Sequence, residues 1–125
     1  MERTVKTPGP DHPITVEPTA GRVVVRAGDR LIADTTRALT LREADYPPVQ
    51  YIPLDDIAAG VLRPTDSQTY CPYKGDASYY ALSAEDGEIA DAVWTYEKPY
   101  QAVGEIAGHV AFYPQHVRVE LDGDA

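Results

Sequence analysis

The residues best equipped for chemistry lie close together in Thr69–Tyr80, TYCPYKGDASYY. Cys71 is the one cysteine of the chain, and Lys74 follows it by three residues. A cysteine becomes a nucleophile when a cation, a base or a helix N-terminus lowers its pKa. Lys74 can supply the cation, and His109 a base only through a tertiary contact. The commoner fate of a free cysteine is that of a small packed hydrophobe. Pro72 followed by Lys74-Gly75 marks a tight turn that carries a cation between two strands. A lysine so placed can meet an anionic ligand, although the usual loop lysine is simply solvated. Lys74-Gly75 is not a P-loop, because GxxxxGK followed by Ser or Thr is absent.

A second polar and aromatic cluster spans Glu43–Tyr51, EADYPPVQY. If its strand lies beside that of Cys71, then Glu43, Tyr46, Tyr51 and Lys74 line one cavity. Trp94 and Tyr96 are two residues apart and share a strand face. A lone Trp in a β domain more often anchors packing than holds a ligand. The chain has nine Tyr against one Trp and one Phe, and six of the Tyr fall between Tyr46 and Tyr80. Tyr favours half-buried sites where its ring packs and its hydroxyl finds a partner. That density indicates a pocket rim or an interface; equally, it suits a thin β-layer that uses Tyr as a strand former.

Metal chemistry has little support. A zinc site needs about four ligands, usually Cys and His at tight spacing. Cys71 stands alone, and His12, His109 and His116 are dispersed with no CxxC or HExxH pattern. Asp55 and Asp56 are adjacent, so on a helix they point about 100° apart; they read as charges favoured at a helix N-terminus. No metal and no cofactor is expected.

The net charge is −9, from 20 acidic and 11 basic side chains, and no three basic residues are contiguous. A general nucleic-acid binder needs clustered Lys and Arg, so that class is set aside, as is binding to an anionic membrane surface. A small anionic ligand needs only one or two local cations and stays open. With 43% hydrophobic and 25% charged residues the chain reads as a folded protein, a single domain over residues 1–125. No apolar run approaches the roughly 20 residues of a membrane helix. The N-terminus shows no apolar signal region. One cysteine makes no internal disulfide, and a reducing cytoplasm is the simplest setting.

These side chains would have to be carried mostly by strands. Arg22–Ala27 and Leu31–Thr36 flank a turn and make a hairpin. Further strands are expected at Thr40–Glu43, Val49–Ile52, Gln68–Cys71, Ala77–Leu82, Ala90–Tyr96 and His109–Tyr113. Val117–Leu121 alternates apolar and charged residues, as a half-buried strand does. Pro8, Pro10, Pro13 and Pro18 make the N-terminal segment extended and irregular. Pro53–Leu62 is the best helix, ended by Pro64, and Pro99–Ile106 forms a helical turn. Glu120–Asp124 reads as a frayed acidic tail. About eight or nine short strands with one or two short helices predict a mainly β, barrel- or sandwich-like antiparallel architecture.

The stretches PGPDHPI (Pro8–Ile14), YPPVQYIPLDD with Glu43 before it, TYCPYKGDASYY and DAVWTYEKP (Asp91–Pro99) resemble the family called domain of unknown function 427. The resemblance covers nearly the whole chain, and the CPYKG core is its most specific part. It implies a β-tent fold. It also carries a nucleotidyltransferase name, a chemistry that needs carboxylates on a metal and a means of holding a triphosphate. Zinc-binding relatives in the β-tent grouping use paired CxxC motifs, which this chain lacks. The family pattern falls on Glu43, Tyr46, Tyr51, Cys71, Lys74, Tyr79, Trp94 and Tyr96.

Three functions follow. The first is a binding module whose Tyr-lined pocket, formed by Tyr46, Tyr51, Tyr73, Tyr79, Trp94 and Tyr96, holds a small ligand against Lys74 and Glu43. The second is a transferase or hydrolase that uses Cys71, Lys74 and Glu43 as catalytic groups. The third is a homodimer joined through the Tyr-rich face.

Overall fold

Successive residues of a strand point to opposite faces, so a single strand can serve two layers of the fold. In the computed structural model, which describes residues 3–122, ten strands follow in order. They are β1 (Ile14–Pro18), β2 (Arg22–Ala27), β3 (Arg30–Thr35), β4 (Leu39–Glu43), β5 (Val49–Pro53), β6 (Leu62–Cys71), β7 (Gly75–Ala84), β8 (Gly87–Thr95), β9 (His109–Phe112) and β10 (Arg118–Asp122). Short 3-10 segments occupy Leu54–Asp56 and Gln101–Ile106.

A seven-stranded sheet has the order β1-β4-β5-β9-β8-β7-β6, and a three-stranded sheet the order β10-β2-β3. All pairings are antiparallel. The fold is mainly β, as expected, but among the described residues no closed barrel forms; β1 and β6 remain separate edges. Val23, Val25 and Ile32 of the small sheet pack on Ile52, Leu82, Val93, Val110 and Phe112 of the large one. The opposite face of the large sheet carries Leu41, Tyr51, Ala77, Tyr96 and Ala111, capped by Val103 and Ile106 of the second 3-10 segment. Tyr51 and Ile52, or Ala111 and Phe112, thus serve two different cores through the period of two.

One pairing is short. β5 meets β9 only at Ile52–Val110 and Pro53–His109. β4 and β5 continue to pair through Leu41–Val49, and β8 and β9 through Val93–Phe112. The sheet therefore divides beyond Tyr51, with Val49 and Gln50 on one leaf and Phe112 on the other.

Five expectations are corrected. Pro53–Leu62 is not a helix beyond Leu54–Asp56. Ile57 is extended and bridges Ala33, the Ala58 N–H donates to the Ile32 carbonyl at 2.8 Å, and Gly60 takes φ +78°. The backbone groups a helix would use are spent on β3 instead. The N-terminal segment is more regular than its prolines suggest: Ile14–Pro18 is an edge strand, where a missing N–H is tolerated. Pro64 likewise lies within edge strand β6, beside a register shift, rather than ending a helix. Finally, Glu120–Asp122 belong to β10 rather than to a frayed tail, while residues 123–124 lie outside the described residues. β10 is exposed along its whole length, not half-buried. Among the described residues no helix is long and apolar enough to cross a membrane.

Candidate functional site

Lys74 sits in the tight turn between β6 and β7. Its N–H donates to the Cys71 carbonyl at 3.2 Å, and its own carbonyl accepts from the Tyr100 N–H at 3.0 Å. Gly75 follows at φ +110°, a conformation that side chains rarely adopt, and a Cβ there would stand 3.4 Å from the Lys98 carbonyl oxygen. Pinned from both sides, the turn aims Lys74 inward. Its side chain is only 11% exposed, so it is not a solvated loop lysine. Nζ donates to Glu43 Oε1 at 2.5 Å.

Glu43 ends β4. Ala44 then takes a left-handed φ of 47°, and its N–H donates to the Pro13 carbonyl at 2.8 Å. Glu43 Oε2 lies 2.7 Å from His12 Nε2. The ionised carboxylate can only accept, so Nε2 carries the proton. The His12 ring stacks on Tyr73 with centroids 4.1 Å apart and planes within 7°. Burial pushes the Glu43 carboxyl up, but the hydrogen bonds from Lys74 and His12 outweigh it and hold the group below its ordinary range.

Glu43 and Lys74 meet although their strands are not neighbours, which corrects the expected side-by-side arrangement. β4 and β6 lie at positions two and seven of the sheet order. The N-terminal segment bridges them. Its Lys6 N–H donates to the Pro72 carbonyl at 2.9 Å, and His12 and Pro13 reach Glu43 and Ala44.

The rest of the site is an aromatic wall laid down by register. Trp94 pairs with Tyr79 on one side and Ala111 on the other. Tyr51 and Ala111 belong to the same buried cluster, with Trp94 packed against it. Trp94 Nε1–H donates to the Tyr51 hydroxyl at 3.1 Å, with rings at 89°. Tyr113 tilts against Trp94 at 4.6 Å. Burial pushes the Tyr51 phenol up to about 12, and burial together with a hydrogen bond to Tyr79 does the same for Tyr113. The Tyr96 phenol is raised as well, chiefly by burial.

These groups enclose a cavity of about 490 Å³, within the range of small-molecule sites. Of the residues singled out from sequence, Glu43, Tyr46, Tyr51, Lys74, Tyr79, Trp94 and Tyr96 line it. Cys71 and Tyr73 do not. Cys71 is half-buried behind Lys74, its Sγ 3.9 Å from Nζ, and packs against the Tyr51 and Tyr96 core. Tyr73 acts from outside, as the surface on which His12 stacks. His109 is spent locally, its Nδ1–H donating to the Ala107 carbonyl at 2.9 Å. Two members went unrecognised in the sequence. His12 looked like one of three scattered histidines, its only signal being its place inside PDHPI. Tyr113 lies one residue past β9, where nothing local marks it. Among the described residues no three Asp, Glu, His or Cys side chains gather to hold a metal ion.

The family model for the domain of unknown function DUF427 matches residues 15–123. The chain belongs to the DUF427 family. No curated protein matches it. The matched span of this DUF427 domain contains Glu43, Tyr51, Lys74 and Trp94, whereas His12 precedes it. What the site offers chemically is a closed hydrogen-bond chain, His12–Glu43–Lys74, opening on apolar rings. Lys74 has three N–H groups; one goes to Glu43 and one points weakly at Cys71 Sγ. The remaining one has no hydrogen-bond partner among the described residues, and the ammonium stands over the Tyr96 ring, 6.0 Å from its centroid.

Proposed function

We propose that this DUF427 domain binds a small polar molecule in the tyrosine-lined cavity over the Glu43–Lys74 pair. The observation that carries the reading is convergence. Four separate stretches of chain bring Glu43, Tyr51, Lys74 and Trp94 to one concave, half-enclosed space. The pair itself is formally neutral, so the cavity favours a ligand with a carbonyl or hydroxyl acceptor over a polyanion. The remaining Lys74 N–H meets that acceptor, and Tyr51, Tyr96 and Trp94 enclose the adjoining carbon frame. A thermal-melt screen of neutral amides, alcohols and sugars tests this, run on wild type and Lys74→Met. The expected result is a stabilising compound whose effect disappears in Lys74→Met. Stabilisers that act equally on both proteins would place binding elsewhere.

One observation favours a second reading, covalent catalysis through Cys71. The Lys74 ammonium lies 3.9 Å from Sγ, and a neighbouring cation promotes thiolate formation. The rate of Cys71 alkylation by iodoacetamide against pH separates the two. A reactive cysteine labels well below pH 8 and slows in Lys74→Met; a packed one labels slowly in both.

A further inference from the structure

Beyond Ile52–Val110, β5 and β9 no longer pair. Beside this break the Glu43–Lys74 cavity adjoins a second space of about 560 Å³, and the two share Tyr46, Val49 and Trp94 as walls. The second space is chemically opposite to the first. Pro47, Pro48, Ile52, Phe112, Val119 and Leu121 line it, and among the described residues no charged side chain does.

β10 explains why that groove is unfilled by the described residues. Val119 pairs with Val25, and Leu121 with Val23. In an antiparallel pair, directly opposed residues face the same side. Val25 and Val23 are 1% and 0% exposed, yet Val119 and Leu121 on the same face are 38% and 56% exposed. Their strand has run past the edge of the divided sheet, and the apolar face it presents lies over the groove.

We infer that the ligand is amphipathic: its polar end sits on Glu43 and Lys74, and an apolar chain or ring passes Trp94 into the groove under β10. This deepens the reading of the Glu43–Lys74 cavity and rests on it. Adjacency selects this occupant: the groove and the polar site share Tyr46, Val49 and Trp94 as walls, and the two spaces together suit a molecule larger than either cavity alone holds.

Straight-chain primary amides from propanamide to octanamide provide the probe, titrated against the whole chain. Trp94 is the only tryptophan, so its fluorescence reports occupancy of the shared wall. Affinity is expected to rise about fourfold per added methylene once the chain passes Trp94. Leu121→Asp and Val119→Asp, both on an exposed edge strand, should flatten that series while leaving propanamide binding unchanged. Lys74→Met should weaken every member. Propanamide and octanamide binding equally, both lost in Lys74→Met, would overturn the apolar arm and leave the polar site standing. A length dependence that Lys74→Met does not touch would overturn the polar anchor. No binding by any amide would overturn both. Sedimentation showing a dimer that Leu121→Asp dissociates would assign the groove to a second copy of the chain and overturn the inference.

Discussion

Replacing Glu43 by Gln removes one charge from the site and little volume. It leaves the Lys74 ammonium, 11% exposed, facing a neutral amide. Breaking a buried ion pair from one side costs about 3–5 kcal/mol, because the remaining charge stays desolvated. Gln still accepts one hydrogen bond, and both side chains keep a little solvent contact, which brings the expected loss to about 2–3 kcal/mol. For a domain of this size that lowers the melting temperature by about 10 °C. Lys74→Met should cost a similar amount. The double variant should cost clearly less than the sum of the two, since neither charge is then stranded. The pH dependence has a definite sign. The folded Glu43 pKa is depressed below the ordinary value of 4.5, so its contribution is complete above that value and is lost as pH falls through the folded pKa. The stability gap between wild type and Glu43→Gln should stay constant near neutrality and narrow below about pH 4.5. Urea melts by circular dichroism at a series of pH values measure all of this. Single variants within about 1 kcal/mol of wild type, or a strictly additive double variant, would show the pair behaving like a surface ion pair and refute the reasoning.

Three other perturbations probe the frame around that pair. Ala111→Leu puts bulk into the buried cluster that holds Tyr51, with Trp94 packed against it; we expect a loss of about 1–3 kcal/mol and a shifted Trp94 emission maximum. Gly75→Ala must hold φ +110° against the Lys98 carbonyl, and should cost about 1–3 kcal/mol while exposing Lys74 to acylating reagents. In a spectrophotometric titration of the folded protein, Tyr51 and Tyr113 should ionise near 12. Because these phenols are raised by folding, their contribution is complete below about pH 10 and is lost as pH rises through the folded values, which alkaline melts of Tyr51→Phe can check.

Much of the architecture was legible because it is local. The turn at Ala27–Arg30, the strands at Val49–Ile52 and Ala90–Tyr96, and the Pro72-Tyr73-Lys74-Gly75 turn each declare themselves within a few residues. The predicted helix failed for a reason outside its own window: Ile57 and Ala58 are claimed by β3, and no spacing of Leu54, Ile57 and Val61 encodes that. The alternation of Val117–Leu121 assigned the correct face to Val119 and Leu121. Burial on that face depends on what stands opposite, and the divided sheet leaves nothing there. The site was legible by residue type at Glu43, Tyr51 and Lys74. Its assembly was not, since Glu43 and Lys74 come from strands far apart in the sheet. Their contact depends on its curl and on the N-terminal segment that spans it. His12 is the clearest case, a side chain whose role is defined entirely by a carboxylate 31 residues away.

The geometry of Glu43 bears on which ligands suit the cavity. Each of its oxygens is already engaged, one by Lys74 and one by His12. A nucleoside triphosphate approaching Lys74 would bring its charge beside that carboxylate and would have to draw the ammonium away from a 2.5 Å contact. In a site of low dielectric that exchange is costly, because it strands Glu43 without its counter-ion. A neutral acceptor asks for no such exchange; it takes only the Lys74 N–H left over and keeps the pair intact. The apolar groove beside the cavity points the same way, since among the described residues no cation lines it to meet further phosphates. The nucleotidyl-transfer chemistry implied by the family resemblance would therefore require this site to rearrange, with Lys74 released from Glu43. Binding of an uncharged polar group with an apolar extension requires only that the existing hydrogen bonds stay where they are.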